Sequence, residues 1–198
     1  MMIEILIPSL ILTVLAYLFG SLSSAIILCR IAGLPDPRTE GSGNPGATNV
    51  KRIAGSKLAA LVLVIDIVKG SLPVLLAVLL GLSETWLALV ALAAFLGHLY
   101  PIFFQFQGGK GVATALGGFI VLSPLLTVAV VSTWIMTFIV TRISSLSAII
   151  AALFAPLYAF IWINDQMAHS IITVMAALLL YRHRSNIQRL LAGKESRS

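Results

Sequence analysis

The feature that most restricts this chain is the length of its nearly uncharged stretches. Apolar segments cover approximately 3–29, 58–80, 85–103, 112–122, 125–141, 143–163 and 166–181, and short polar connections part them. A helix needs roughly 20 apolar residues, rising 1.5 Å each, to cross about 30 Å of hydrocarbon. A chain built this way belongs in a bilayer, where the backbone satisfies its own hydrogen bonds as helix. With 59% hydrophobic and 10% charged residues and a mean hydropathy of +1.04, the composition departs in the same direction from that of a soluble domain. The expected fold is all-α, a single transmembrane domain over residues 1–198. The first segment opens Met1-Met2-Ile3-Glu4, without the basic start of a cleaved signal, and reads as a retained span.

The charges sort the connections into two kinds. Arg30, Arg38, Lys51, Arg52 and Lys57 surround the first long loop, Lys110 lies in the second, Arg142 stands alone, and Arg182, Arg184, Arg189, Lys194 and Arg197 occupy the tail. The connections around Leu82-Ser83-Glu84, Ser123-Pro124 and Asn164-Asp165 carry no lysine or arginine. Under the positive-inside tendency the basic segments are cytoplasmic. Parity then asks for an even number of crossings between Lys110 and the tail, which 112–181 supplies only if it breaks at Ser123-Pro124. Seven spans follow, with the N-terminus outside and the C-terminus cytoplasmic. Segment 112–122, about 11 residues long, needs shelter among other helices or a thinned bilayer. A five-span arrangement with 112–141 as one helix would place Arg142 outside. The run Gly20-Ser21-Leu22-Ser23-Ser24-Ala25 reads as small-residue packing inside the first span.

The net charge of +6 would suggest nucleic acid in a soluble protein, but here the cations flank spans, so orientation explains them and no nucleic-acid partner is expected. One cysteine cannot form an internal disulfide, and the absence of a Cys/His cluster argues against structural zinc; no metal or cofactor is expected.

Three polar clusters share the basic face, at 40–55, 97–114 and 181–195. In the first, Ser42, Asn44, Thr48, Asn49 and Arg52 stand among three glycines and a proline. Glycines let backbone N–H groups converge on an oxyanion, hydroxyls add donors, and an arginine clamps phosphate with two prongs. In the second, Gly108-Gly109-Lys110-Gly111 puts one cation among flexible amides just before a helix containing Thr114. The N–H groups and dipole of a helix N-terminus favour negative charge. Walker A spacing is absent, since Phe104 and not glycine lies five residues before Gly109. His98 near the end of its span suits capping or packing as well as function. The third cluster, with His183, Asn186 and Arg189, resembles a basic tail meeting anionic lipid heads. Asp66 and Lys69, three apart on one helix face in apolar surroundings, are expected to pair or to face a polar cavity.

Taken together, Ser42-Gly43-Asn44-Pro45-Gly46-Ala47-Thr48-Asn49 with Arg52, then Gly97-His98, Pro101 and Gly108-Gly109-Lys110-Gly111-Val112-Ala113-Thr114, then Arg182-His183, Asn186-Ile187, Arg189-Leu190, Gly193 and Glu195 resemble the three cytoplasmic motifs of the bacterial acyl-phosphate:glycerol-3-phosphate acyltransferases. The resemblance spans nearly the whole chain. It implies a seven-helix bundle in the bacterial inner membrane, working as a monomer with its site on the cytoplasmic face. It also implies transfer of an acyl group from acyl phosphate to the primary hydroxyl of glycerol 3-phosphate, giving lysophosphatidic acid and phosphate. By motif, Ser42, Arg52, Lys110, His183 and Asn186 hold glycerol 3-phosphate, while Asn44, Thr48, Asn49, Gly109, Gly111 and Thr114 surround the acyl phosphate, and Gly108 is a further substrate-binding candidate. Lys110, Arg52, Ser42 and His183 are the catalytic candidates, and Glu195 could pair with a site cation. Two substrates that both bear phosphate explain two anion cradles. The competing reading is a small anion transporter, disfavoured because the polar clusters gather on one face and no repeat is visible. A His-x4-Asp acyltransferase is excluded, since Phe103, Val174 and Gln188 lie five residues after His98, His169 and His183.

Overall fold

A computed structural model describes residues 2–197, with side chains from Leu6 onward. Among these residues the fold is all-α: ten α-helices, one 3-10 turn at Ile102–Phe104, and no strand. The helices are α1 (Met2–Gly20), α2 (Ser24–Ile31), α3 (Ala47–Ala54), α4 (Ser56–Leu79), α5 (Glu84–Leu99), α6 (Val112–Leu122), α7 (Pro124–Thr141), α8 (Ser144–Trp162), α9 (Gln166–Arg182) and α10 (Arg184–Leu191).

The expected first span is not one straight helix. It breaks at residues 21–23 and resumes as α2 at an angle of 43°. Ser21 turns its hydroxyl back onto the Tyr17 carbonyl, a bond that competes with helix propagation. The carbonyl of Leu22, freed by the break, accepts from the buried ammonium of Lys69 at 3.1 Å. In an apolar membrane setting an unpartnered carbonyl would be costly, so the break and the lysine belong together. The packing expected of the small residues is nevertheless present at Gly20, where a Cβ would run into the backbone of Ala94 on α5.

The predicted break at Ser123-Pro124 does divide two helices. Ser123 ends α6 and caps α7, its hydroxyl accepting from the Leu126 N–H at 3.3 Å, and Pro124 opens α7. A single helix over 112–141 is therefore ruled out. By length and apolar composition four helices among the described residues can cross a membrane, or five if the bent α1–α2 pair counts as one. At 11 and 17 residues, α6 and α9 are shorter. On α7, Leu125, Val128, Met136 and Val140 are 60–81% exposed, a surface suited to lipid tails rather than water.

Two helix pairs approach backbone to backbone. Gly97 of α5 abuts the Tyr17 carbonyl of α1, and Gly70 of α4 abuts Thr114 of α6 while Gly117 of α6 abuts the Ile67 carbonyl of α4. Such small-residue contacts are what hold helices together where lipid removes the hydrophobic drive for association. The α4–α6 seam also places the start of α6, and with it Lys110, beside the first loop.

Candidate active site

Asn49 organises the first loop from within. Its side chain is buried; Oδ1 accepts from the Ser42 N–H at 2.8 Å, and Nδ2 donates to the carbonyls of Pro37 and Glu40 at 2.9 and 3.0 Å. Every polar atom of this amide is used on the loop's own backbone. That folds the chain so that Ser42, Asn44, Thr48 and Arg52 line a common cavity.

The second loop is gripped from both sides. Arg182 donates from Nε to the Gly109 carbonyl at 3.1 Å and from Nη2 to the Gly108 carbonyl at 2.6 Å. Opposite, the Gly109 N–H donates to the His98 carbonyl at 3.1 Å. Gly111 has φ +84°, a left-handed conformation that suits glycine, and a side chain there would strike Phe95 and Leu99. The turn projects Lys110, whose Nζ donates to Asn186 Oδ1 at 2.5 Å.

The tail closes the third side. Asn186 Nδ2 donates to Glu195 Oε1 at 2.6 Å, Ser145 Oγ donates to the same oxygen at 2.7 Å, and Arg189 Nε donates to Glu195 Oε2 at 2.5 Å. Burial works to raise the Glu195 carboxyl, but these donors outweigh it and hold the group below its usual range. Arg52 Nη2 donates to Ser196 Oγ at 2.9 Å.

These loops enclose one end of a cavity of about 690 Å³. That end carries Arg52, Lys110, Arg189 and Lys194 against the one tail carboxylate, Glu195. The far end is apolar: Leu63 and Ile67 of α4, Leu116 and Phe119 of α6, Val130 and Trp134 of α7, and Met175 of α9. Alanines 148, 151, 152 and 155 form the α8 wall, and their short side chains leave the space open. A second cavity of about 270 Å³ beside it is lined by Gly108, Lys110, Arg182, Arg184 and Arg189, among others.

Of the residues singled out in the sequence, Ser42, Asn44, Thr48, Asn49, Arg52, Lys110, Gly111, His183 and Asn186 line the larger cavity. Gly108 lines the smaller one. Gly109 lines neither and instead lies against the His98 ring, and the Thr114 side chain is fully buried beside α4 rather than facing the cavity. Among the described residues, no three His, Cys, Asp or Glu side chains gather as metal ligands.

Burial pushes the Lys110 ammonium down to about 8, and Arg189, Arg182 and Arg52 push the same way against Glu195. A bound dianion would reverse that push. Because only charged Lys110 attracts phosphate, affinity for a phosphate ester is expected to hold from pH 7 to 8. Above that, as the free protein loses the proton, it should weaken by up to about tenfold per pH unit. Titration calorimetry from pH 7 to 9.5 checks this, with proton uptake on binding near pH 8 as its signature. Burial also pushes His183 down to about 4, despite the Leu179 carbonyl 2.9 Å from Nδ1, and Lys110 adds to the shift. Neutral His183 that donates from Nδ1 to this carbonyl keeps Nε2 as an acceptor.

The model of the glycerol-3-phosphate acyltransferase family matches residues 10–193. The chain belongs to this family. A glycerol-3-phosphate acyltransferase of Shewanella sp. (strain W3-18-1) is 51% identical over 189 residues, covering 96% of this chain and 92% of its own. The protein of that name from Pectobacterium carotovorum subsp. carotovorum (strain PC1) is 52% identical over 183 residues, covering 92% and 86%. The crystal structure of the integral membrane glycerol 3-phosphate acyltransferase PlsY (YgiH) in its glycerol 3-phosphate form superposes with a TM-score of 0.92 at 42% identity, covering 96% of each chain. Its lysophosphatidic acid form gives 0.89 at 41%, covering 96% of this chain and 95% of that one. The chain is thus an integral membrane acyltransferase of phospholipid biosynthesis.

Several groups on the cavity wall lay outside the sequence-derived site, Arg189 and Asp66 among them. Arg189 was legible, one helical turn from Asn186 on the same face of α10. Asp66 was expected to pair with Lys69 or to face a polar cavity, and it does both, though the spacing did not indicate that this cavity is the site.

Proposed function

We propose that this acyltransferase moves the acyl group of an acyl phosphate onto the primary hydroxyl of glycerol 3-phosphate, forming lysophosphatidic acid and releasing inorganic phosphate. The observation that carries this reading is the single cavity with cations at one end and an apolar channel at the other. Such a space suits a substrate that is a phosphate joined to a fatty chain. The glycerol 3-phosphate and lysophosphatidic acid forms of the PlsY structure support the same acceptor and product for this relative.

In this mechanism the glycerol hydroxyl attacks the acyl carbonyl carbon, an ester C–O bond forms, and the bond between acyl carbon and phosphate oxygen breaks. Phosphate leaves with the electron pair. Acyl phosphate already has a good leaving group, so the protein's task is positioning and neutralising charge. Lys110, Arg52, Ser42, His183 and Asn186 hold glycerol 3-phosphate. Asn44, Thr48 and the Gly108–Gly111 turn surround the acyl phosphate, with Asn49, Gly109 and Thr114 acting through the backbone they shape. The hydroxyl proton passes to a substrate phosphate or to Nε2 of His183.

The reading places the cationic end at the cytoplasmic face of the bacterial inner membrane, with seven crossings, the N-terminus outside and the C-terminus inside. The clustering of the basic loops around one end of the bundle supports this orientation. A single chain supplies every group of the site, which supports a monomer.

Donor choice tests the reading. Purified protein in lipid, given labelled glycerol 3-phosphate, is expected to form lysophosphatidic acid with palmitoyl phosphate and at least about a hundredfold more slowly with palmitoyl coenzyme A, a thioester that offers the cationic end no phosphate next to the acyl carbon. Equal rates with both donors would reject the acyl-phosphate assignment.

A further inference from the structure

His98, equally suited by sequence to packing or function, lies in a buried polar network that reaches from the helix break to the phosphate-facing turn. Two donors converge on one carboxylate oxygen, Oδ1 of Asp66, and the buried Nδ1 of His98, which has no hydrogen-bond partner, faces the same oxygen. Ser24 Oγ lies at 2.7 Å, Lys69 Nζ at 2.9 Å, and Nδ1 of His98 at 3.6 Å, within ion-pair reach though longer than a hydrogen bond. Lys69 in turn donates to the Leu22 carbonyl released by the break between α1 and α2. All four of these side chains are buried. Asp66 and His98 form part of the cavity wall. A bare carboxylate there would repel phosphate, and Lys69 offsets it.

The other edge of the His98 ring meets the glycine turn. The nearest atoms to a Cβ placed on Gly109 would be Nε2, Cε1 and Cδ2 of His98, close enough to collide. The His98 carbonyl accepts from the Gly109 N–H at 3.1 Å, and Gly108 lies against the same carbonyl. The histidine thus meets Gly109 with its ring and with its backbone, immediately before Lys110.

We propose that His98 is a positioning residue for acyl transfer: Asp66 orients its imidazole, and the imidazole is the seat against which Gly109 rests, fixing the turn that aims Lys110. Glycine at 109 is then required by the ring beneath it, not by backbone torsion, since Gly109 has no positive φ. This rests on the reading of Lys110 as a phosphate-holding residue. Asp66 and Lys69 act through His98 and do not touch the turn.

The test is a double-substitution cycle on the full-length protein in detergent or lipid. Gly109→Ala is expected to lower kcat/KM for glycerol 3-phosphate at least about a hundredfold, because its methyl displaces the turn from the ring. His98→Ala is expected to cost about tenfold, expressed mainly in KM, by loosening the turn. Combining them should restore at least about tenfold over Gly109→Ala alone, since the methyl then occupies the space the ring left. A histidine serving bundle stability alone would make the losses add, and a double variant no better than Gly109→Ala would overturn the proposal. If His98→Ala does not yield folded protein, His98→Gln replaces it, keeping an amide that can reach Asp66 on a chain flexible enough to give way. The cycle is also read as thermal stabilisation by glycerol 3-phosphate, which needs no acyl donor. Wild type that binds glycerol 3-phosphate but makes no product from palmitoyl phosphate would count against the donor assignment. Rescue of binding in the double variant would still support His98 as the seat, and absence of rescue would still refute it.

Discussion

Lys110→Ala is expected to reduce kcat/KM about a thousandfold while leaving the thermal unfolding temperature unchanged or raised. The first half follows from the site. Lys110 is the cation that the glycine turn projects into the cavity, and it meets Asn186 from the tail at 2.5 Å. A charged donor aimed at developing anionic charge in a water-poor site contributes about 3–4 kcal/mol to the transition state. The second half follows from linkage. Folding lowers the Lys110 ammonium from 10.5 to about 8. The folded state therefore holds this proton less tightly than the unfolded chain, and a charged Lys110 opposes folding. Stability contributed through this group rises with pH from about 8 toward 10.5 and is missing below 8. Removing the ammonium relieves a burial cost and repulsion from three arginines, the exchange of stability for function common at active sites. Arg52→Ala should lose activity comparably. His183→Ala should lose about ten- to fiftyfold, as expected for positioning and modest proton transfer rather than obligatory base catalysis. Steady-state kinetics alongside thermal unfolding in detergent checks both halves; a His183→Ala loss equal to that of Lys110→Ala would establish the histidine as a true general base.

Gly117→Val is expected to have the largest effect on stability. Gly117 of α6 abuts the Ile67 carbonyl of α4, and Gly70 of α4 abuts Thr114 of α6, so the two backbones meet with no side chain between them. A β-branched side chain at 117 has only backbone to push against, and backbone cannot yield as a flexible side chain can. Overpacking of this kind costs about 3 kcal/mol, which corresponds to a fall of about 10 °C in unfolding temperature for a chain of this size. Activity should fall further than stability, because α6 begins immediately after the turn bearing Lys110. Unfolding followed by intrinsic fluorescence measures the first effect. A shift under 2 °C would mean that the α4–α6 seam is looser than described.

Much of this architecture was legible in the sequence. The apolar segments became helices at close to their expected positions, because hydrocarbon leaves the backbone few alternatives. Ser123-Pro124 was readable as a break because serine caps a helix and proline begins one. The polar clusters drew attention because glycines, amides and cations are costly beside a bilayer unless something uses them. What stayed hidden depends on the register of one helix against another. Ser21 and Ser23 carried the chemistry of a break as well as of packing, and the choice depended on Lys69, 47 residues from Leu22, being there to satisfy the freed carbonyl. Thr114 follows the glycine turn closely in sequence, yet helical rotation takes it to the α4 seam. Gly109 belonged to a Gly-Gly-Lys-Gly cluster that the sequence marked as a candidate phosphate cradle, but its contact with His98 could not be read from spacing. The pairing of Asp66 with Lys69 was foreseeable at three residues' separation, whereas its approach to His98, from another helix, was not.

The most direct measurement of the central claim is inorganic phosphate released by the purified protein from palmitoyl phosphate, with and without glycerol 3-phosphate. The account predicts release that depends on glycerol 3-phosphate and matches lysophosphatidic acid one for one, since the acceptor hydroxyl itself attacks the anhydride. Rapid release without acceptor would contradict direct transfer, and no release from folded protein in either condition would contradict acyl phosphate as the donor.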